Sequence, residues 1–260
     1  MTEPRRSLQG RYGHPLVVLP TFNEIDTLPS VIEHLLAALP PVTILVVDDN
    51  SPDGTGHWAE ERRRTLRQLH VLHRRAKLGL GSAYKEGFAW GLNHGFRTFV
   101  QMDSDGSHSP MDLPALLAPL QDGAALVIGS RYIEGGSTPG WPARRRVLSR
   151  TSNAIARRVL GLNVRDATSG FRAYRDEIVR AIDVSSVGSD GYAFLVEALW
   201  RVLRAGGRVV EVPIEFSDRF WGASKINRRE IALAALTLLR LRRDAHRVAA
   251  WQPHTAEASR

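Results

Sequence analysis

TILVVDDNSPDGT, residues 43–55, is an apolar run that stops at two carboxylates and a cluster of turn residues. A short, continuous, β-branched run of this kind reads as a strand buried on both faces, as in a parallel sheet. Asp48–Gly54 closes it. Working outward, Leu16–Leu19 reads as a second buried strand, ended by Pro20, with a helix from Thr27 through Leu39. Downstream lie a polar helix through Gln68, a strand Leu69–Leu72 and a helix Gly81–Asn93. They are followed by a strand Thr98–Met102, a helix Leu113–Leu120 and a strand Ala125–Gly129. Strand–helix alternation implies βαβ units and a mostly parallel sheet, with ligands at the carboxyl ends of its strands.

The second half is less regular. A Gly/Pro-rich loop, Gly135–Pro142, precedes an arginine-rich helix with Val147, Thr151, Ile155 and Val159 at helical spacing. Gly170–Tyr174 reads as a strand and Tyr192–Leu203 as a helix. Val209–Phe216 alternates like a strand that Pro213 assigns to an edge. An amphipathic helix around Ile231–Leu241 follows. The expected organisation is a flexible N-terminus (1–15), one α/β domain (16–245) and a disordered tail (246–260).

Composition narrows the chemistry. There is no cysteine, which excludes disulfides, thiolate metal sites and thiol nucleophiles. The net charge of +8, carried by 32 arginines and only three lysines, calls for an anionic partner: nucleic acid, an acidic bilayer or a phosphorylated ligand. A GC-rich genome also produces this skew, while guanidinium forks suit phosphate oxygens. No secretory leader is visible in the first residues, and no apolar run reaches the roughly 20 residues that span a bilayer.

Four polar clusters follow predicted strands: Asn23-Glu24, Asp48-Asp49, Asp103-Ser104-Asp105 and Ser130-Arg131. One acidic turn is ordinarily a solvated loop, but four matched strand ends mark a site. Asp103 and Asp105, two residues apart, offer oxygen ligands to one hard divalent cation of the kind that bridges a bound diphosphate. Ser107 and His108 stand directly behind them. Asp49, Ser51, Asp53, Gly54 and Glu60 mimic a calcium-loop spacing, yet a strand precedes them and Pro52 stiffens the turn. Tyr84 replaces the third glycine of a dinucleotide fingerprint, and no P-loop, H-E-x-x-H pair or G-x-S-x-G elbow is present.

The ordered series PTFNE (20–24), VVDDNSPDGT (46–55), KLGLGSAY (77–84), MDSDGSHSP (102–110) and GSRY (129–132) resembles the dolichol- and polyprenol-phosphate mannosyltransferases. These are family 2 glycosyltransferases with a GT-A fold. GWPARRRVLSR, DATSGFRAY, SDGYAF and DRFWGASK extend the resemblance, so it runs from about Leu16 to Lys225. It implies transfer of mannose from GDP-mannose to a polyprenyl or dolichyl monophosphate, with inversion and with Mg²⁺ or Mn²⁺ as cofactor. Pro20, Phe22, Glu24, Val47 and Asp49 would hold the nucleotide, and Asp103, Ser104 and Asp105 the metal–diphosphate. Ser107 would stand at a metal-ligand position where many relatives carry Gln. Arg131, Arg145, Ser149, Arg219 and Lys225 would face the phosphates of donor and acceptor, with Asp105, Arg131 and Arg145 nearest the chemistry.

Elementary chemistry agrees with those roles. A lipid phosphomonoester has a second pKa of about 6, so at neutral pH it is mostly dianionic and already nucleophilic. It needs screening from the donor diphosphate more than it needs a base, and Arg131 with Arg145 can clamp it bidentately. The expected location is cytoplasmic and peripheral, on the cytoplasmic face of a membrane, with room for an anchoring membrane partner. The arginines at 228, 229, 240, 242 and 243 suit anionic headgroups at about 1 kcal/mol each near such a surface. The apolar residues Ile231, Leu233, Leu236, Leu238, Leu239 and Leu241 suit core packing equally well. The same transfer with UDP-glucose or a UDP-N-acetylhexosamine is the alternative chemistry. A nucleic-acid-binding protein would explain +8 but leave the acidic strand ends unexplained, because carboxylates repel a phosphate backbone.

Overall fold

The computed structural model describes residues 14–217 and 228–244. The strands are β1 (Leu16–Thr21), β2 (Thr43–Asp48), β3 (Leu69–His73), β4 (Thr98–Gln101), β5 (Leu126–Ser130), β6 (Arg172–Arg175) and β7 (Val209–Pro213). The helices are α1 (Leu28–Ala38), α2 (Thr55–Arg63), α3 (Leu80–Asn93) and α4 (Leu113–Gln121). They continue with α5 (Ala143–Leu160), α6 (Asp176–Ala181), α7 (Gly191–Arg204) and α8 (Arg228–Arg243). The strands form a seven-stranded sheet in the order β3-β2-β1-β4-β6-β5-β7. All pair in parallel except β6, which runs antiparallel to both β4 and β5.

The apolar runs read as two-faced strands are two-faced. Leu16, Val18, Leu45 and Val47 point to one side, under α3 and α7; Val17, Leu19, Ile44 and Val46 point to the other, under α1 and α4. Successive residues of a strand alternate faces, so a strand covered on both sides must be apolar throughout. Helix α3 carries two internal glycines, each costing about 1 kcal/mol against alanine. They let the helix press onto the sheet: a Cβ on Gly87 would come within 2.5 Å of Val18 Cγ1, and one on Gly91 within 2.5 Å of Leu16 Cδ2.

Three features depart from the sequence reading. The 170–174 strand is β6, whose reversed direction inserts it between β4 and β5. Helix α6 was not expected. Strand β7 lies at the sheet edge, as Pro213 predicts, but ends there; Glu215 and Phe216 instead make single bridges to Ser137 and His108. Residues 1–13 and the 246–260 tail lie outside the described residues.

Candidate active site

The carboxyl ends of β1, β2, β4 and β5 open onto one edge of the sheet, and short side chains bind the loops together there. Asp48 Oδ1 accepts from Thr21 Oγ1 (3.1 Å) and Ser51 Oγ (2.6 Å). Asn23 N donates to Ser51 Oγ, Glu24 N to Thr55 Oγ1 and Ile25 N to Asp53 Oδ2. The calcium-like spacing therefore serves loop closure: Asp53 grips the backbone and Thr55. Burial pushes the Asp53 carboxyl up, and the Thr55 hydroxyl and nearby N–H groups outweigh it, so the carboxyl lies below its ordinary value. Phe22 sits under Lys77, whose Nζ is 3.9 Å from the ring centroid.

Asp49 is also committed inside the protein. Arg74 Nη1 reaches its Oδ1 at 2.6 Å, and the N–H groups of Leu78 and Gly79 donate to Oδ2. Asp49 thus organises the 77–81 loop from beneath. Gly79 has φ +99°, and any Cβ there would run into Asp190 Oδ2. Only glycine meets both conditions. Asp190 secures the same loop by accepting from Gly81 N at 2.6 Å.

The 103–105 segment is held from three sides. Ser104 Oγ donates to Pro20 O (2.7 Å), and Thr27 Oγ1 donates to Ser104 O (2.9 Å), fixing it against the β1 loop. Tyr84 OH donates to Asp103 Oδ1 (3.3 Å). Asp103 N donates to His108 Nδ1 (3.3 Å), which places the imidazole proton on Nε2. Burial pushes the His108 pKa down, despite the opposing pull of Asp103, so the ring is neutral. Ser107 donates to Asp105 Oδ1 through both N (3.0 Å) and Oγ (2.5 Å). Its hydroxyl thus aims Asp105.

Asp105 is buried, whereas a quarter of the Asp103 side chain meets solvent. Among the described residues no group of three or more Asp, Glu or His converges on a possible metal position. Two hard carboxylates without a third fit a cation that completes its shell with water and substrate phosphates, the habit of Mg²⁺ and its analogues.

Past β5 the sheet edge turns basic. Arg131 is 7% exposed and meets Asp166 in a fork: Nε to Oδ2 and Nη2 to Oδ1, both 2.7 Å, with its backbone N adding 3.1 Å. Nη2 also reaches Thr168 Oγ1 (2.9 Å). The bidentate edge expected to grip phosphate is therefore given to Asp166. Burial pushes the Asp166 carboxyl up, and the Arg131 charge and hydrogen bonds overcome it, holding the group below its ordinary value. Trp141 gathers the cations: Arg145 Cζ lies 3.9 Å from its ring centroid and Arg131 Cζ 5.5 Å. Ser149 accepts from Tyr132 OH (2.7 Å). Asn153 pins α5 to the 166–168 loop, accepting from Ala167 N and donating to Thr168 Oγ1.

Residues 16–183 match the family described as Glycosyl transferase family 2. The chain belongs to that family. It is 49% identical over 213 residues to polyprenol monophosphomannose synthase of Mycolicibacterium smegmatis, covering 82% of this chain and 80% of the relative. It is 46% identical over 225 residues to undecaprenyl-phosphate mannosyltransferase of Micrococcus luteus, covering 86% and 92%. Among solved structures it resembles glucosyl-3-phosphoglycerate synthase of Mycobacterium tuberculosis in complex with Mn²⁺, UDP and glucosyl-3-phosphoglycerate. That match has a TM-score of 0.65 and 23% identity over 93% of this chain and 85% of that one. A mannosyltransferase of Pyrobaculum calidifontis in complex with GDP-Man and Mn²⁺ gives a TM-score of 0.51 and 16% identity, over 88% and 60%. At such identities these likenesses carry the fold alone, and it is the GT-A arrangement expected.

Of the residues expected in this family 2 site, Pro20, Phe22, Glu24, Val47, Asp49, Asp103, Ser104, Asp105 and Ser107 lie at one end of β1, β2 and β4. Arg131, Arg145 and Ser149 gather beside β5. Arg219 and Lys225 lie outside the described residues. Sequence reasoning gave no role to Arg74, Asn153, Asp166, Thr168 or Asp190. The acidic and hydroxylic residues of DATSG and SDG were visible in the motifs, but their partners lie far away in sequence.

The expectation for Arg240 needs correction. It does not stand clear for lipid: its Nη2 lies 2.5 Å from Glu197 Oε2 on α7, and Arg201 reaches Oε1 at 2.8 Å. Leu241 is buried, whereas Leu236 and Leu239 are exposed, so α8 is partly core and partly surface. Burial pushes the Glu197 carboxyl up; Ser189, Arg201 and Arg240 more than offset it, leaving it below its ordinary value. A depressed carboxylate stabilises above its unfolded pKa, about 4.3 for Glu, and that contribution fades as pH falls through the folded value. Amide protection factors in α8, exchange rates corrected for the intrinsic pH dependence, should therefore fall on acidification below the ordinary glutamate range. Glu197→Gln should give faster exchange already at pH 7 and remove that acid-dependent step. An unchanged step in that variant would place the titrating group elsewhere.

Proposed function

We propose that this protein transfers mannose from GDP-mannose to a polyprenyl monophosphate, forming polyprenyl-phosphate mannose with inversion at the anomeric carbon. The supporting observation is the pairing of an open two-carboxylate set with two cations around Trp141. It occurs in a family 2 chain nearly half identical to two enzymes named for mannosyl transfer to such lipids. In this reading the nucleotide lies over Pro20, Phe22, Glu24 and Val47, and Asp49 holds the loop that closes over it. Asp103 and Asp105 would hold Mg²⁺ or Mn²⁺, which would supply neutralising charge for the departing diphosphate.

The chain's own residues carry the rest. Ser107 and His108 keep the two carboxylates aimed. Arg145, less buried than Arg131, contacts the acceptor phosphate, and Ser149 adds a hydroxyl. Arg131, locked to Asp166, holds positive charge at the same place and orients Thr168. In a water-poor cleft such fixed charges act without reorganising. The acceptor oxygen is already anionic, so orientation and screening replace general-base catalysis.

A lipid acceptor requires work at a membrane surface. No helix among the described residues is long and apolar enough to cross one. Val147, Leu148 and Ile155 on α5 and Leu236 and Leu239 on α8 expose apolar side chains on two helices in contact, supporting peripheral attachment. Donor choice is tested by competition. GDP is expected to displace bound donor more effectively than UDP in calorimetric titrations with Mg²⁺. Tighter UDP binding would reassign the donor to UDP-glucose or a UDP-N-acetylhexosamine.

A further inference from the structure

Helix α5 holds six arginines in 18 residues and no carboxylate. Arg145 belongs to the acceptor cluster, whereas Arg150 and Arg157, five and twelve residues further on, lie on a different side of α5. Seven residues apart, they share a stripe of the helix. That stripe borders a pocket of about 170 Å³ lined by Tyr132, Arg150, Asn153, Ala154, Arg157 and Arg165. Three of the six lining residues are arginines, and none is an acid. Arg157 Nε is buried without a hydrogen-bond partner. A buried donor left unmade is costly, and a charged one more so, which points to a ligand that completes it.

Neither neighbouring carboxylate, Asp166 or Glu211, is hydrogen-bonded to a guanidinium of the pocket. Asp166 is committed to Arg131, and Glu211 accepts from the N–H groups of Arg165 (2.6 Å) and Asp166 (2.8 Å). Three arginines around one pocket with no acid among its lining suit the tetrahedral oxygens of a phosphate group. We propose that this pocket binds a phosphate group at a subsite separate from Arg131, Arg145 and Ser149. Tyr132 joins the two: its ring lies 5.7 Å from Arg150 Cζ, while its hydroxyl donates to Ser149. Occupancy of the pocket thus bears on a residue that holds the acceptor site. The phosphate belongs either to an anionic phospholipid headgroup or to a free phosphate ion.

The test is a ³¹P line-broadening titration of the full chain in the Arg145→Ala background, which removes the guanidinium proposed to contact the acceptor phosphate. Inorganic phosphate is one probe and monomeric dihexanoyl phosphatidylglycerol the other. Saturable broadening by at least one is expected; response to the ion identifies free phosphate as sufficient, and response to the lipid alone identifies the headgroup. Adding Arg150→Gln with Arg157→Gln should raise Kd about tenfold or more, the scale of a lost charge-assisted hydrogen bond. Arg144→Gln with Arg158→Gln, equal in charge on the same helix, should leave it within about twofold. Arg157→Lys, which keeps charge and fold but loses the fork, should weaken binding measurably. No saturable binding, or equal loss in the control pair, overturns the proposal. The measurement reads binding without turnover, so it stands apart from the assignment of donor and acceptor.

Discussion

Asp105→Asn is expected to lower turnover by about 10²–10³-fold, the scale for losing one preorganised charge contact to a reacting centre. Thermal stability should change little. An asparagine oxygen can still accept from Ser107 N and Oγ, so the buried loop keeps its hydrogen bonds. What disappears is one of the two carboxylates proposed to hold the cation. EDTA should abolish wild-type transfer, and Mg²⁺ or Mn²⁺ should restore it. Steady-state rates and a thermal melt on the same preparation check both halves. A variant that melts normally and turns over normally in metal-free buffer would remove Asp105 from the mechanism.

The second large effect concerns a pair rather than a ligand. Asp166→Ala leaves Arg131 buried without its counter-charge, which typically costs 3–5 kcal/mol, so a cost of about that size is expected in denaturant unfolding. Activity should fall with it. Replacing both partners by apolar residues of similar volume, Arg131→Met with Asp166→Leu, removes the uncompensated charge. That double variant should recover most of the stability. It should not recover transfer, because Arg131, one of the two cations beside Trp141, is gone. Return of both properties together would mean that the pair is purely structural. Loss of activity in a stable double variant would assign Arg131 a part in catalysis.

The outline of this site was legible because its signals are local. Apolar runs ending in VVDDNSPDGT and VQMDSD announce a buried strand followed by a polar turn within about ten residues, and the sheet edge follows from their alternation with helices. Strand direction is not local. Nothing in FRAYR distinguishes a parallel strand from the antiparallel β6, since periodicity is the same in both directions. Long-range partners are hidden for the same reason. Arg131 reads as a phosphate ligand until Asp166, 35 residues later, is seen across its fork. Arg240 reads as a lipid-facing cation until Glu197 is seen beneath it. There a signal did exist: an acid inside the apolar run YAFLVEALW stands where a buried helix face has no place for an unpaired charge. Asp49 teaches a related lesson. A carboxylate at a strand end can also shape a neighbouring loop, here through Arg74, Leu78 and Gly79.

The central claim is the identity of the transfer. The direct measurement incubates the full chain with Mg²⁺, a short polyprenyl phosphate and either GDP-[¹⁴C]mannose or UDP-[¹⁴C]glucose, then partitions the mixture between water and butanol. Label from GDP-mannose should move into the organic phase only when the lipid phosphate is present, and label from UDP-glucose should stay in water. Label moving from UDP-glucose and not from GDP-mannose, or no transfer from either donor to the lipid phosphate, would contradict that claim.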